Sequence, residues 1–332
     1  MNLTDLEQLG WRPEQNKAMP PWEKKGFKPG RVLAASRNFC TLLLPGLRQE
    51  SVSIPGRLHH QARKGGQLPV VGDWVVYRPG TTTKEGVVES VLPRHTCITR
   101  QAAGRRDRIV KQVIGSNIDT VLIVTDLDQD YNLRRIERYF ALVAGSGAMA
   151  VVLLNKSDLC EHPEQKVSEV QALGEVDVYV ISAKAGQGLE QLDDYLSPGH
   201  TVAMLGSSGT GKSTLANQLL GENRQMTGEL SDYDGKGRHT TTHRELLLLP
   251  GGAFLMDNPG IRELQLLNDE TDLGLTFEEI ALLGRKCRFH NCRHDHEPDC
   301  MVKKAVAEGQ LDEERYLSFL KLQQELSDQN RY

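Results

Sequence analysis

Residues 206–214 read Gly-Ser-Ser-Gly-Thr-Gly-Lys-Ser-Thr, between an apolar run, TVAML (201–205), and a run with helical spacing, LANQLL. This is G-x-x-x-x-G-K-[ST] in strand–loop–helix order, and no other feature of the 332 residues restricts the fold as much. The loop Gly206, Ser207, Ser208, Gly209, Thr210 and Gly211 turns backbone N–H groups onto phosphate oxygens at the start of a helix. Lys212 is expected to reach the β- and γ-phosphates of a nucleotide. The Ser213 hydroxyl is expected on Mg²⁺, with Thr214 following in the helix.

The surrounding texture agrees. Short apolar runs recur at 119–125 (DTVLIVT), 149–154 (MAVVLL), 176–181 (VDVYVI), 201–205, 245–249 (ELLLL) and 253–256 (AFLM). Most are separated by helical patterns such as LRRIERYFALVAG and LEQLDDYL. Such alternation predicts a mostly parallel sheet with helices on both faces.

Asn155, Lys156, Ser157 and Asp158 follow the run MAVVLL. A carboxylate at a strand end accepts two hydrogen bonds from guanine, at N1–H and the 2-amino group. Adenine lacks that pattern and would leave the acid unpaired. Asn155 can brace the loop and the Lys156 stem can lie along the base. VDVYVI ends in Ser182, Ala183 and Lys184, where a backbone N–H can meet guanine O6. The nucleotide is therefore expected to be GTP. Asp257-Asn-Pro-Gly260 matches D-x-x-G, with Asp257 in the Mg²⁺ shell and the Gly260 amide near the γ-phosphate. Between these motifs lies GKGRHTTT (235–242), from which one of Thr240, Thr241 and Thr242 is expected to close over Mg²⁺, Thr241 first. Ile261 stands where a water-orienting Gln would follow Gly260, so His239 is the candidate to position water and take its proton.

The motifs run NKSD, SAK, phosphate loop, TTT, DNPG, with the base reader first. The site still assembles if the sheet is circularly permuted, because domain termini often lie close together. DNPG then adjoins the C-terminal segment in sequence.

Residues 1–111 carry a net +10 and the remainder −14. That asymmetry suggests a polyanion partner for the N-terminal part. GRVLAAS, NFCTLLLP, ESVSIPGRL, DWVVYRP and EGVVESVLP are five short β-rich runs between Gly30 and about Arg94, which suits a small OB-type barrel. Residues 1–29 show no period and read as a flexible tail. Arg57, Arg63, Lys64, Arg105, Arg106 and Arg108 are candidate phosphate contacts. No apolar run is long enough to span a bilayer. The N-terminus carries no secretory pattern. The expectation is a cytoplasmic monomer with no membrane association.

Cys40, Cys97 and Cys160 are scattered, whereas Cys287, Cys292 and Cys300 cluster with His294. Three thiolates and an imidazole form a common closed structural zinc set. His290 and His296 compete for the fourth place. Lys286, Arg288, Arg293, Lys303 and Lys304 nearby are equally a phosphate-binding or a solvated face.

Together these motifs resemble the circularly permuted GTPase family of ribosome small-subunit-dependent GTPase A (RsgA, also called YjeQ). The resemblance covers roughly residues 30–330 and includes GRHTTT and CRHDHEPDC. It implies a flexible tail (1–29), an OB-fold RNA-binding domain (30–100), a circularly permuted G domain (101–264) and a zinc-binding helical domain (265–332). It places the zinc ligands on Cys287, Cys292, His294 and Cys300, and the catalytic histidine on His239. It implies binding to the 30S subunit and 16S rRNA late in maturation, alongside other assembly factors. It also implies slow GTP hydrolysis that the subunit accelerates. Asn258 departs from the Thr or Ser commoner in D-x-P-G, and residues 1–29 depart from a typical family tail. Two rivals stand: an RNA-binding scaffold with a structural GTP site, and an ATP-dependent phosphotransferase.

Overall fold

The computed structural model describes residues 3–62, 64–102, 110–128, 131–221, 245–257, 273, 277–289 and 291–329. They fall into two compact units. The first comprises residues 1–98, 113–131 and 148–263, the second 99–112, 132–147 and 264–332.

The first unit opens with three short helices, α1 (Leu3–Glu7), α2 (Pro13–Ala18) and α3 (Pro20–Glu23). This corrects the expectation of a flexible tail. Leu6, Leu9, Trp11 and Met19 are buried. Trp11 meets Trp74 edge-on, with centroids 4.7 Å apart. The Gln15 side-chain amide donates to the Pro93 carbonyl at 2.7 Å. Helices of four to six residues are too short to display a 3.6-residue repeat, so periodicity did not reveal them.

Five strands follow: β1 (Lys28–Ala35), β2 (Phe39–Leu44), β3 (Arg48–Ser53), β4 (Trp74–Arg78) and β5 (Gly86–Val91). They close as β1-β2-β3-β5-β4 and back to β1, with β3 and β5 parallel. Helix α4 (Gly56–Ala62) lies between β3 and β4 in sequence. This is the OB-type barrel the five runs suggested. Irregular register in β1 (Val32/Ala34) and β4 (Val76/Tyr77) supplies the bends that closure needs. Val32, Leu42, Val52, Val75 and Val88 fill its interior, fully buried. Two further strands, β6 (Cys97–Ala102) and β7 (Val110–Ser116), pair as a ribbon. Their Arg, Lys and Gln content hid them from a hydrophobic reading.

The second sheet holds β8 (Thr120–Asp126), β9 (Met149–Asn155), β10 (Asp177–Val180), β11 (Thr201–Leu205), β12 (Glu245–Leu248) and β13 (Phe254–Asp257). Their spatial order is β10-β9-β8-β11-β13-β12, parallel except for β12. All residues of β8 and β11 are buried, as expected for central strands covered on both faces. A single antiparallel pairing, Ala34 with Glu245, joins the barrel to β12. LEQLDDYL forms a 3-10 helix (Leu189–Leu196) rather than an α-helix. Its Leu189, Leu192 and Tyr195, three apart, line one face of a three-residue turn and pack on the sheet core.

Arg31 of β1 is the largest buried cation of this unit. Its guanidinium donates to the Leu9 carbonyl and the Thr201 hydroxyl, and stacks over Phe254 at 4.7 Å. Burial lowers its pKa to about 10, which leaves it charged at neutral pH. It thereby ties the N-terminal helices, the barrel and β11 together. Asp119 closes the same seam. It accepts from Arg12 at 2.5 Å and from the Thr201 amide at 2.8 Å. Burial alone would raise the Asp119 pKa, but hydrogen bonds from His95 and Thr201 and the Arg12 charge outweigh it and lower the value.

The second unit contains α5 (Leu133–Ala144), α8 (Glu278–Gly284), α9 (Met301–Ala307) and α10 (Glu313–Gln329), α6 (Glu164–Gln171) and α7 (Lys212–Leu220) belonging to the first. The sequence placed α5 in the central domain. Instead, residues 132–147 group with the C-terminal segment. The reason is a buried polar contact. The Glu137 carboxylate accepts from Ser318 and, at 3.1 Å, from Arg315, whose guanidinium lies over Phe277. Ala141, Phe277, Ile280, Val302 and Phe319 form the adjoining core. Helices α9 and α10 are separated near Gly309, which adopts φ +69°.

Candidate functional site: a nucleotide cradle and a thiol-rich centre

The fully buried strand β11 delivers the chain into the phosphate loop, and α7 begins at Lys212. Gly206 and Gly211 are required by geometry. A Cβ on Gly206 would lie 2.1 Å from the Val124 carbonyl oxygen, and one on Gly211 would lie 2.2 Å from Asn155 Nδ2. Both adopt positive φ, at +149° and +95°. The Lys212 ammonium is buried under the loop. It donates to the Gly206 carbonyl at 2.7 Å and to the Ser207 carbonyl. The Thr210 hydroxyl donates to the Ser207 carbonyl at 3.1 Å. Ser213 and Thr214 lie in the first turn of α7. A helix start behind a glycine-rich loop is suited to an anion.

One side chain joins this loop to the NKSD and SAK loops. Asn155, buried at the end of β9, donates through Nδ2 to the Thr210 carbonyl at 2.7 Å. Its Oδ1 accepts the Ala183 amide at 2.9 Å. The three sequence motifs NKSD, SAK and GSSGTGKST thus converge on one amide group. The Asp158 carboxylate is exposed and accepts from the Ser182 hydroxyl at 2.6 Å. That bond is the largest cause holding its pKa below the usual carboxylate value, with Lys184 and Lys156 adding to it. Asp158 therefore stays a hydrogen-bond acceptor at neutral pH. Ser157 continues the ladder by donating to the Ile181 carbonyl at 3.1 Å.

Lys156 takes the left-handed conformation, φ +63°. Its ammonium meets Asp126 Oδ2 at 2.7 Å. Asp126 ends β8 and lies opposite Asn155 in the parallel register. Motif reading missed it, because its place beside the loop comes from strand register and not from spacing along the chain.

Asp257 ends β13, next to the phosphate-loop strand, where Ala203 pairs with Met256. Gly260, Asn258, His239 and Thr240 to Thr242 lie outside the described residues, as do Arg63, Arg105, Arg106, Arg108 and His290. Among the remaining basic candidates, Arg57 pairs with Glu89 at 2.7 Å, Arg288 with Asp299 at 2.9 Å and Lys304 with Glu308 at 3.8 Å. Lys64 is exposed.

In the second unit, ligand atoms of Cys287, Cys292, His294 and Cys300 all lie within 4.8 Å of one another. His294 Nδ1 is 3.6 Å from Cys287 Sγ and 3.4 Å from Cys300 Sγ, and the two sulfurs are 3.9 Å apart. A tetrahedral ion with bonds of about 2.3 Å to sulfur and about 2.0 Å to nitrogen has edges of about 3.5–3.8 Å, close to the three separations among Cys287, His294 and Cys300. Burial first, then the neighbouring thiols, push the Cys292 thiol up to about 12. A bound cation would reverse that balance and favour the thiolates. His296 is not part of the cluster and pairs with Asp295 at 2.9 Å. His294 is held from behind by Tyr316, which donates to its carbonyl at 2.6 Å.

The RsgA GTPase family model matches residues 91–267, more than half of the chain. "Small ribosomal subunit biogenesis GTPase RsgA" of Opitutus terrae is 46% identical, over 96% of this chain and 89% of that protein. Its namesake in Methanosarcina acetivorans is 44% identical, over 97% of this chain and 85% of that protein. Among solved structures, YjeQ from Thermotoga maritima superimposes with a TM-score of 0.66 at 28% identity, covering 90% of this chain and 98% of that one. YloQ, described as a circularly permuted GTPase, gives 0.62 at 24% identity, over 91% and 96%, and so supports the fold. With its barrel, its permuted strand order and its thiol-rich centre, this chain is a GTP hydrolase that belongs to the RsgA GTPase family.

Proposed function

We propose that this chain hydrolyses GTP while serving the biogenesis of the small ribosomal subunit, binding 16S rRNA and turning over faster on the 30S particle. The convergence of three motifs on Asn155 carries the nucleotide part of this reading, because one side chain ties the glycine-rich loop to the loops that carry Asp158 and Ala183. The names of its relatives and the +10 charge of residues 1–111 support the ribosomal part.

In this reading Gly206 to Gly211 give backbone amides to the phosphates, and Lys212 carries the charge there. Asp158 and the Ala183 amide read guanine, and Ser182 and Lys184 shape that wall. Ser213 and Asp257, with Thr241, would hold Mg²⁺, whose chemistry is to neutralise developing charge on the β- and γ-phosphate oxygens. The Gly260 amide meets the γ-phosphate. His239 takes the proton of the attacking water, since Ile261 offers no group to orient it. Cys287, Cys292, His294 and Cys300 would hold one structural zinc, which supplies folding energy to the second unit. The protein acts as a cytoplasmic monomer; among the described residues no helix is long and apolar enough to cross a membrane.

The base assignment has a direct test. Asp158→Asn replaces an acceptor with an amide that also donates. GDP binding should fall by about a hundredfold, as a charged, bidentate pair is lost. XDP, which has a carbonyl in place of the 2-amino group, should bind the variant better than GDP does. Calorimetric titration of both nucleotides decides it. Unchanged GDP affinity would remove Asp158 from the base site.

A further inference from the structure

We infer that Asp126 is a positioning residue for guanine binding, acting through Lys156. The inference rests on the reading of residues 155–158 as the base loop. Asp126 comes from a different strand, β8, and belongs to none of the nucleotide motifs. Strand register nevertheless places it opposite Asn155, and the Leu127 amide donates to the Asn155 carbonyl at 2.9 Å. Its carboxylate is almost fully buried, with 5% of the side chain exposed. One oxygen, Oδ1, accepts the Asp128 amide at 3.3 Å. The other, Oδ2, accepts the Lys156 ammonium at 2.7 Å.

The physical consequence concerns entropy. A free lysine side chain carries much rotamer freedom. Ordering it at the moment of binding costs affinity, and a partner that orders it beforehand removes that cost. Lys156 already leaves β9 in the left-handed conformation, which turns its stem away from the strand direction. Asp126 then fixes the far end of that stem. The backbone turn and the buried acid hold both ends of a four-carbon rod, and that rod is the wall against which the base plane lies. The interaction has little to offer as a surface ion pair, since exposed pairs of this kind contribute little to stability. Its value lies in having one member buried and fixed.

The expected result is that Asp126→Asn weakens GDP and GTP binding by the same factor, about fivefold, because the base is common to both. The loss should fall on Kd and KM. Lys156→Met keeps the stem and removes the ammonium, and should lose a similar factor. The double variant should be no weaker than Lys156→Met alone, as for two groups acting as one unit. A purely structural role would lower the unfolding midpoint without moving the nucleotide Kd of the folded protein. Calorimetry of the full-length chain with GDP and with GTP reads these factors. An Asp126→Asn affinity within about twofold of the parent overturns the inference, and so do fully additive losses. If Asp126→Asn fails to fold, unchanged affinity in Lys156→Met overturns it equally. Asp158→Asn, measured alongside, separates the two layers. Loss of GDP binding there with no effect of Asp126→Asn sinks this inference alone. No effect of Asp158→Asn removes the base-loop reading beneath it.

Discussion

Lys212→Ala should abolish nucleotide binding in the micromolar range while the chain remains folded. The Lys212 ammonium has two tasks. It closes the loop on itself through the Gly206 and Ser207 carbonyls, and in the proposed reading it is the fixed positive charge that meets the phosphates. Charge-assisted hydrogen bonds are worth about 1.5–3 kcal/mol each. Losing two of them, with loosening of the loop, weakens GTP and GDP by at least about a hundredfold, at 1.4 kcal/mol per tenfold. The fold should tolerate the change, because α7 keeps Leu215 and Ala216 in the sheet core. Calorimetric titration with GTP and GDP, with a thermal melt as control, measures both parts. Near-normal GTP affinity in a folded variant would show that residues 206–214 do not hold the phosphates.

The second large effect is expected from Cys292→Ser. Structural zinc contributes about 10–16 kcal/mol of apparent binding free energy in small domains, and that energy is folding energy. The three cysteines are also part of the apolar core, where Cys300 joins Phe277 and Phe319, with Cys287 and Cys292 packed against it. Removing one thiolate should therefore cost the bound ion of the proposed reading and loosen the packing around it. The purified variant should carry well under one zinc per chain. Its second unit should become sensitive to proteolysis between α8 and α10, while GDP binding persists in the first unit. Metal analysis by mass spectrometry and limited digestion test this. One zinc per chain in the variant would refute the ligand set.

Much of this architecture was legible in the sequence, for identifiable reasons. The buried central strands β8 and β11 read as unbroken apolar runs because helices cover both faces of a parallel sheet. Gly206 and Gly211 were legible because a backbone approach closer than a methyl group tolerates no other residue. The three cysteines were legible because soft ligands cluster in sequence, whereas the choice of His294 over His290 and His296 came from the family resemblance. What stayed hidden depended on tertiary placement. The N-terminal helices are too short for a period, yet Trp11 against Trp74 and Arg31 against Leu9 anchor them. The pattern LRRIERYFALVAG announces a helix but not its neighbour. Glu137 chooses Arg315 and Ser318, nearly two hundred residues away. Asp126 becomes part of the nucleotide site only through strand register. Among the basic candidates, Arg57, Arg288 and Lys304 have acidic partners of their own, which spacing along the chain does not announce.

In the proposed reading this GTPase is triggered by the small ribosomal subunit. Steady-state GTP hydrolysis by the full-length protein, alone, with purified 30S subunits and with 50S subunits, tests it most directly. The expected result is slow intrinsic turnover, an increase of at least about tenfold with 30S, and none with 50S; positioned acid–base groups are worth that much or more. Turnover that stays at its intrinsic rate on 30S, with GTP still tightly bound, would contradict the claim and leave an RNA-binding scaffold whose nucleotide only stabilises the fold.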